Sequence, residues 1–210
     1  MERLKNIGII PINKDILYSL YGDLKRPDEK IPELERKKLI IRIKRDLYVV
    51  SPTVHNLEIS SELVANHLYG PSYISFESAL SYYGLIPERV YSMISACTKL
   101  HKQYETPLGR FEYIKIPERY FPIGINQEII NDSYAFLIAS PEKALCDKII
   151  ASRNLKIQSV KAMREYLEED LRFDMAALTS FDDNIIKKCL EFGRKKVELT
   201  QLLNLLQNGK

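Results

Sequence analysis

Ser140-Pro141-Glu142-Lys143, followed by Cys146-Asp147, gathers a hydroxyl, two carboxyls, an amine and a thiol within eight residues. As a bare pattern Ser-x-x-Lys is the nucleophile-and-base pair of some acyl-transfer enzymes, but no Ser-Asp-Asn or Lys-Thr-Gly follows it. Ser140 also has a local role, since with proline next and glutamate after that it opens a helix as its cap. Cys146 would lie inside that helix, where the positive helix end gives a thiolate nothing. A metal-dependent nuclease or hydrolase would need converging acids, for which Glu77, Glu112 and Glu142 with Lys143 are the available set. Each of these glutamates also has a local reading, as a dipole partner or a surface residue. His67 has no second His or Cys three or four positions away, so it reads as a cap or surface residue. No Walker loop, GxGxxG or HExxH occurs, and the residues imply no catalytic group, metal or cofactor.

The other chemically distinctive stretch is basic. Arg36, Lys37, Lys38, Arg42, Lys44 and Arg45 are six cations in ten residues with no acid among them. Such a cluster neutralises phosphates and releases counterions, giving affinity for a duplex without reading its sequence. Residues 1–52 hold 12 Lys or Arg against 8 Asp or Glu, so the whole positive excess of this +3 chain lies in its first quarter. A solvated basic face on a helical hairpin is the plainer alternative, and Glu33 and Glu35 beside the cluster would repel phosphate.

The elements that must carry these residues follow from periodicity and punctuation. Asn13 caps a helix to Tyr21 with Ile16, Leu17 and Leu20 on one stripe, stopped by Gly22. A second helix, capped by Asp28 or begun only at Pro32, runs to Lys38. Leu39–Ile43 and Leu47–Val50 read as short strands around a Lys44-Arg45-Asp46 turn, and two short strands after a basic helix are how a winged helix-turn-helix closes. Pro52–Asn56 reads as a polar connector and Leu57–Leu68 as a helix. Tyr73 and Ile74 are extended, Ser75 caps a helix over Phe76–Tyr83 that Gly84 ends, and Val90–Cys97 is a strand. Leu100–Glu105 and Arg110–Ile116 pair antiparallel across Thr106–Gly109, and Tyr134–Ala139 is an apolar strand. From Ser159 the pattern is helical to the end, with Gly193 separating the last two helices.

The wording GPSYISFESALSYYGLIPE, with Thr98-Lys99, TPLGRFEY and ASPEKALCDKI in that order, resembles the AbiEi antitoxin family of type IV toxin-antitoxin and phage-abortive systems. The resemblance covers roughly residues 12–150. It implies an α+β chain: a winged helix-turn-helix-like DNA-binding domain over 1–52, then a larger α/β antitoxin domain over 53–210 with a small mixed sheet and a helical C-terminal part. ELERKKLIIRIKRDLYVVSP is similar to the family's last helix and wing, with Asp46 where glycine is usual; aspartate tolerates the left-handed turn. Lys30, Arg36, Lys37, Lys38, Arg42, Lys44, Arg45 and Tyr48 are then the expected DNA contacts. Tyr73, Ser75, Glu77, Ser78, Lys99, Ser140, Glu142, Lys143 and Asp147 carry the antitoxin-domain blocks. The implied function is a non-enzymatic antitoxin and transcriptional autoregulator. Its partners are operator DNA, a nucleotidyltransferase-like toxin on a separate chain, and a second copy on an inverted repeat. The alternative is an α/β protein with a hidden metal-dependent site and an amino-terminal module that only packs.

Composition fits either reading. At 45% hydrophobic and 28% charged the chain is an ordinary globular one. It has no run of about 18 apolar residues. Nothing near the start reads as a signal peptide. Three widely spaced cysteines, Cys97, Cys146 and Cys189, suit reduced core thiols and a cytoplasmic setting.

Overall fold

The computed structural model describes residues 2–24, 26–88 and 90–209. The chain opens with α1 (Glu2–Lys5), β1 (Ile12–Asn13), α2 (Lys14–Leu20) and α3 (Pro27–Arg36), then the hairpin β2 (Ile40–Lys44) and β3 (Leu47–Val50). Asn13 caps α2 as its sequence suggests, its side-chain oxygen accepting from the Ile16 amide at 2.9 Å. The second helix begins earlier than Pro32, at Pro27, because a proline at the first helical position leaves no amide unpaired. Arg26 precedes it without a side-chain cap bond, and the side chain of Asp28, the expected cap, lies outside those described. Asp46 turns the hairpin with φ 60°, the left-handed conformation expected of it. Among the described residues β1 and β2 flank β3 antiparallel, with a bulge between Arg42 and Lys44.

A small core fills this amino-terminal part: Leu4, Leu17, Tyr21, Ile31, Leu34, Ile40, Tyr48 and Val50. Pro52–Asn56 is not an open connector. It forms a helical turn, α4 (Pro52–His55), since Ser51 accepts from the Thr53 amide, Pro52 pre-sets the backbone, and Asn56 ends it in the left-handed region. Val54 joins the small core. The hairpin's other face, Ile43, Leu47 and Val49, belongs to the large core of the rest of the chain. The hairpin is thus clamped between two cores, and residues 1–52 are joined to the body by packing as well as by the chain.

The body contains α5 (Ser61–Leu68), β4 (Ser72–Ile74), α6 (Phe76–Tyr82), β5 (Ser92–Cys97), β6 (Lys102–Thr106), β7 (Gly109–Lys115), β8 (Ile125–Ile130), β9 (Tyr134–Ala139) and α7 (Pro141–Ala151). α8 (Val160–Glu165), α9 (Asp183–Phe192) and α10 (Lys196–Gly209) follow, with a π turn at Tyr166–Asp170 and a 3-10 turn at Met175–Ser180. The six strands run β6-β7-β5-β4-β9-β8 as one mixed sheet, with β5–β7 and β4–β9 parallel. The α+β class and the mixed sheet with a helical end are as the sequence suggests. α5 starts at Ser61 rather than Leu57, because the Ser60 hydroxyl accepts from the Leu63 amide and fixes the first turn there. No helix among the described residues is long and apolar enough to cross a membrane.

Candidate functional site

Five of the nine motif residues meet in one sealed cluster. α7 is buried along most of its length, so its i,i+4 pair Lys143 and Asp147 faces the core rather than water. The Lys143 Nζ lies 3.0 Å from Asp147 Oδ1, both side chains 0% exposed. Tyr73 and Ser75, from β4 and the turn behind it, donate their hydroxyls to Asp147 Oδ2 at 2.9 and 2.6 Å. The Lys143 ammonium also donates to the Tyr120 carbonyl at 3.1 Å and sits 3.0 Å from the centroid of the Tyr120 ring, a desolvated cation–π contact. Ser140 caps α7, accepting from the Lys143 amide. Asp147 Oδ1 receives no well-aligned hydrogen bond among the described residues, so it depends on the ammonium beside it.

This arrangement corrects one local expectation. Ser75 occupies the cap position of α6 but makes no cap bond, because its hydroxyl is spent on Asp147. The next residue, Phe76, is buried with φ 54°, a conformation costing a bulky side chain on the order of 1 kcal/mol and held by the packing on either side. Burial, then the neighbouring Asp147 carboxylate, pushes the hydroxyl pKa values of Tyr73 and Tyr120 well up. The neighbouring free thiol of Cys189, then burial, likewise push the Cys146 thiol up, so it holds its proton and is a poor nucleophile. A charged pair buried in this way orients three elements against one another.

Gly124 explains how the cover fits. Its φ is +59°, and a Cβ there would lie 2.9 Å from Lys143 Cβ and 3.0 Å from Ile185 Cγ2. Gly124→Ala is therefore expected to lower stability by about 2–3 kcal/mol, combining left-handed strain with overpacking. Gly84→Ala, with φ +69° but open space around it, should cost only about 1 kcal/mol. Urea titrations of the two variants give the comparison; equal losses would mean that contact with Lys143 plays no part.

The remaining motif residues are dispersed. Glu142 accepts from the Asp182 amide at 2.9 Å and Glu77 pairs with Lys148, while Glu112, the third acid of the candidate metal set, lies 3.7 Å from His101. Among the described residues no three His, Cys, Asp or Glu side chains stand where they could hold a metal ion. Ser78 ties α6 to β5 through the Ile94 amide, and Lys99 donates to the Gly70 carbonyl.

The basic cluster divides. Arg36, Lys38 and Arg45 are exposed; Arg36 and Lys38 have no partner among the described residues, and Arg45, 96% exposed, has only Asp46 at 3.5 Å. Lys37 and Lys30 both bind Glu33 and hold its carboxyl down at about 2, while Arg42 binds Glu35 at 2.6 Å. The two glutamates beside the cluster thus neutralise cations within the module. Two expected DNA contacts are displaced by packing. Tyr48 is 3% exposed in the small core. Lys44, on a bulged strand end, points at the body and donates to the Leu68 carbonyl. Burial, then Lys102 and Lys99, lowers its pKa.

The chain matches no family model and no curated protein sequence.

Proposed function

We propose that this chain is a DNA-binding transcriptional autoregulator and the antitoxin of a type IV toxin-antitoxin pair, without catalytic activity of its own. The observation that carries the DNA half is the order α1-β1-α2-α3-β2-β3 with β1 paired to β3, an order that suits a winged helix-turn-helix. Three outward cations, Arg36, Lys38 and Arg45, stand at the end of α3 and the tip of the hairpin. The antitoxin half rests on the resemblance of the body's motif blocks, and in its support five of those residues share one buried network. Operator DNA and a separately encoded nucleotidyltransferase-like toxin are the proposed partners.

Titration of the full chain against its own upstream DNA should give an affinity that falls steeply with salt. Co-expression of the full chain with a toxin encoded beside it should restore growth. The full chain is used because a cut at residue 53 would uncover the core face that Ile43, Leu47 and Val49 protect. Binding insensitive to salt, or growth arrest unrelieved, rejects the corresponding half.

A further inference from the structure

On the body, apart from both the buried cluster and the basic hairpin, two adjoining open cavities share Lys115 and Arg194. One, about 520 Å³, is completed by Ile116, Pro117, Glu118, Arg119 and Phe192. The other, about 300 Å³, adds His101, Ile150 and Arg153. Lys115, Arg119, Arg153 and Arg194 are all exposed, and none has an ion-pair or hydrogen-bond partner among the described residues. Arg36 and Lys38 are likewise without partners, whereas Lys37, Arg42, Arg110, Arg164 and Arg172 each hold a carboxylate; what sets these four apart is that they line two adjoining cavities. Phe192, at the end of α9, leaves 40% of its surface exposed beside them. Two acids stand nearby: Glu118 in the larger cavity, and Glu112, whose carboxylate lies 3.7 Å from His101.

Four cations without ion-pair partners, set around Ile116, Pro117 and Ile150 with a part-exposed aromatic side chain among them, make a surface for phosphates and for a stacked base. The geometry points to a second nucleic-acid site, in which this groove binds a single strand through phosphates at Lys115, Arg119, Arg153 and Arg194 and a base against Phe192. The bases of a duplex are paired and stacked and cannot turn onto the Phe192 ring, whereas unpaired nucleotides can splay onto it. The β5–β6 turn that supplies His101 also carries Lys99 and leads into Lys102 at the start of β6, and these two ammonium groups lie over the rings of Tyr69 and Tyr104. A strand leaving the groove on that side meets further positive charge. The site does not depend on the winged-helix reading, since none of its residues lies before residue 100.

Fluorescence anisotropy of the full chain with a labelled oligothymidylate or oligouridylate of about 12 nucleotides tests this, that length lying within the usual range of site sizes. Binding should weaken with salt. Arg153→Ala with Arg194→Ala should lower affinity at least about tenfold and cut the salt slope by roughly 0.7 for each phosphate lost. Phe192→Ala should weaken it several-fold with the slope unchanged, and Glu118→Gln should strengthen it. All four positions are exposed, so melting temperatures should hold; if the double alanine variant unfolds, Arg194→Glu alone serves. Arg36→Ala with Lys38→Ala should leave this binding intact, which separates the groove from the proposed duplex face. No strand binding, binding indifferent to Arg153 and Arg194, or complete displacement by an equal length of duplex would each overturn the assignment.

Discussion

Lys143→Ala is expected to destabilise the chain by about 3–5 kcal/mol, because it removes the cation that neutralises a carboxylate that is 0% exposed. The loss exceeds that of an ordinary buried side chain for two reasons. Asp147 Oδ1 has no well-aligned hydrogen bond to fall back on, and the ammonium also fills the space over the Tyr120 ring. Asp147→Ala should cost a similar amount by the reverse route, leaving Lys143 charged without a counterion and freeing the hydroxyls of Tyr73 and Ser75. Each such unmet donor costs about 1–3 kcal/mol. The double replacement Lys143→Ala with Asp147→Ala should be less destabilised than the sum of the two single changes, since it removes both charges together. Urea unfolding of the four chains closes the cycle. A single-variant loss below about 1 kcal/mol, the level of an exposed pair, would mean that water or another group reaches the two charges, and the sealed arrangement would have to be abandoned.

That cluster also marks where the sequence stops being informative. Ser140 as a cap, Gly84 and Asp46 in left-handed turns, and Gly193 behind α9 all obey rules spanning a few residues, and all appear where those rules put them. Nothing local marks Lys143 and Asp147, four apart on a helix, as a buried pair. Their burial depends on α7 being covered on both sides by α6 and α9, which no window around Ser140 contains. Ser75 reads as a cap for the same reason: the acceptor that captures its hydroxyl is 72 residues away. β8 leaves no mark in the sequence because Asn126, Gln127 and Glu128 in an edge strand give too few apolar positions for an alternating pattern. α1 leaves none because one buried residue, Leu4, is its whole apolar contribution. The basic stretch is legible as charge but not as direction, since only the hairpin's packing turns Lys44 inward and leaves Arg45 outside.

That direction decides how the proposed duplex face should respond to mutation. Arg36→Ala, Lys38→Ala and Arg45→Ala together are expected to lower affinity for the upstream duplex by about 10²-fold near 0.1 M salt and to reduce the salt slope by about 2.7, if each cation meets one phosphate. Lys37 and Arg42 have carboxylate partners that compete with phosphate, so replacing them should do less. Glu35→Gln should strengthen binding by releasing Arg42 to the DNA. Lys44→Ala should instead act on stability, because its ammonium is bonded to the Leu68 carbonyl and packed near Tyr104. The six residues therefore fall into three outcomes: loss of affinity at Arg36, Lys38 and Arg45, small change at Lys37 and Arg42, and a lower melting point with binding kept at Lys44. A duplex titration at several salt concentrations, run beside thermal unfolding, separates them. Equal loss from all six would return the cluster to an undifferentiated charged surface, and no loss from the first three would leave the amino-terminal module as a packing element alone.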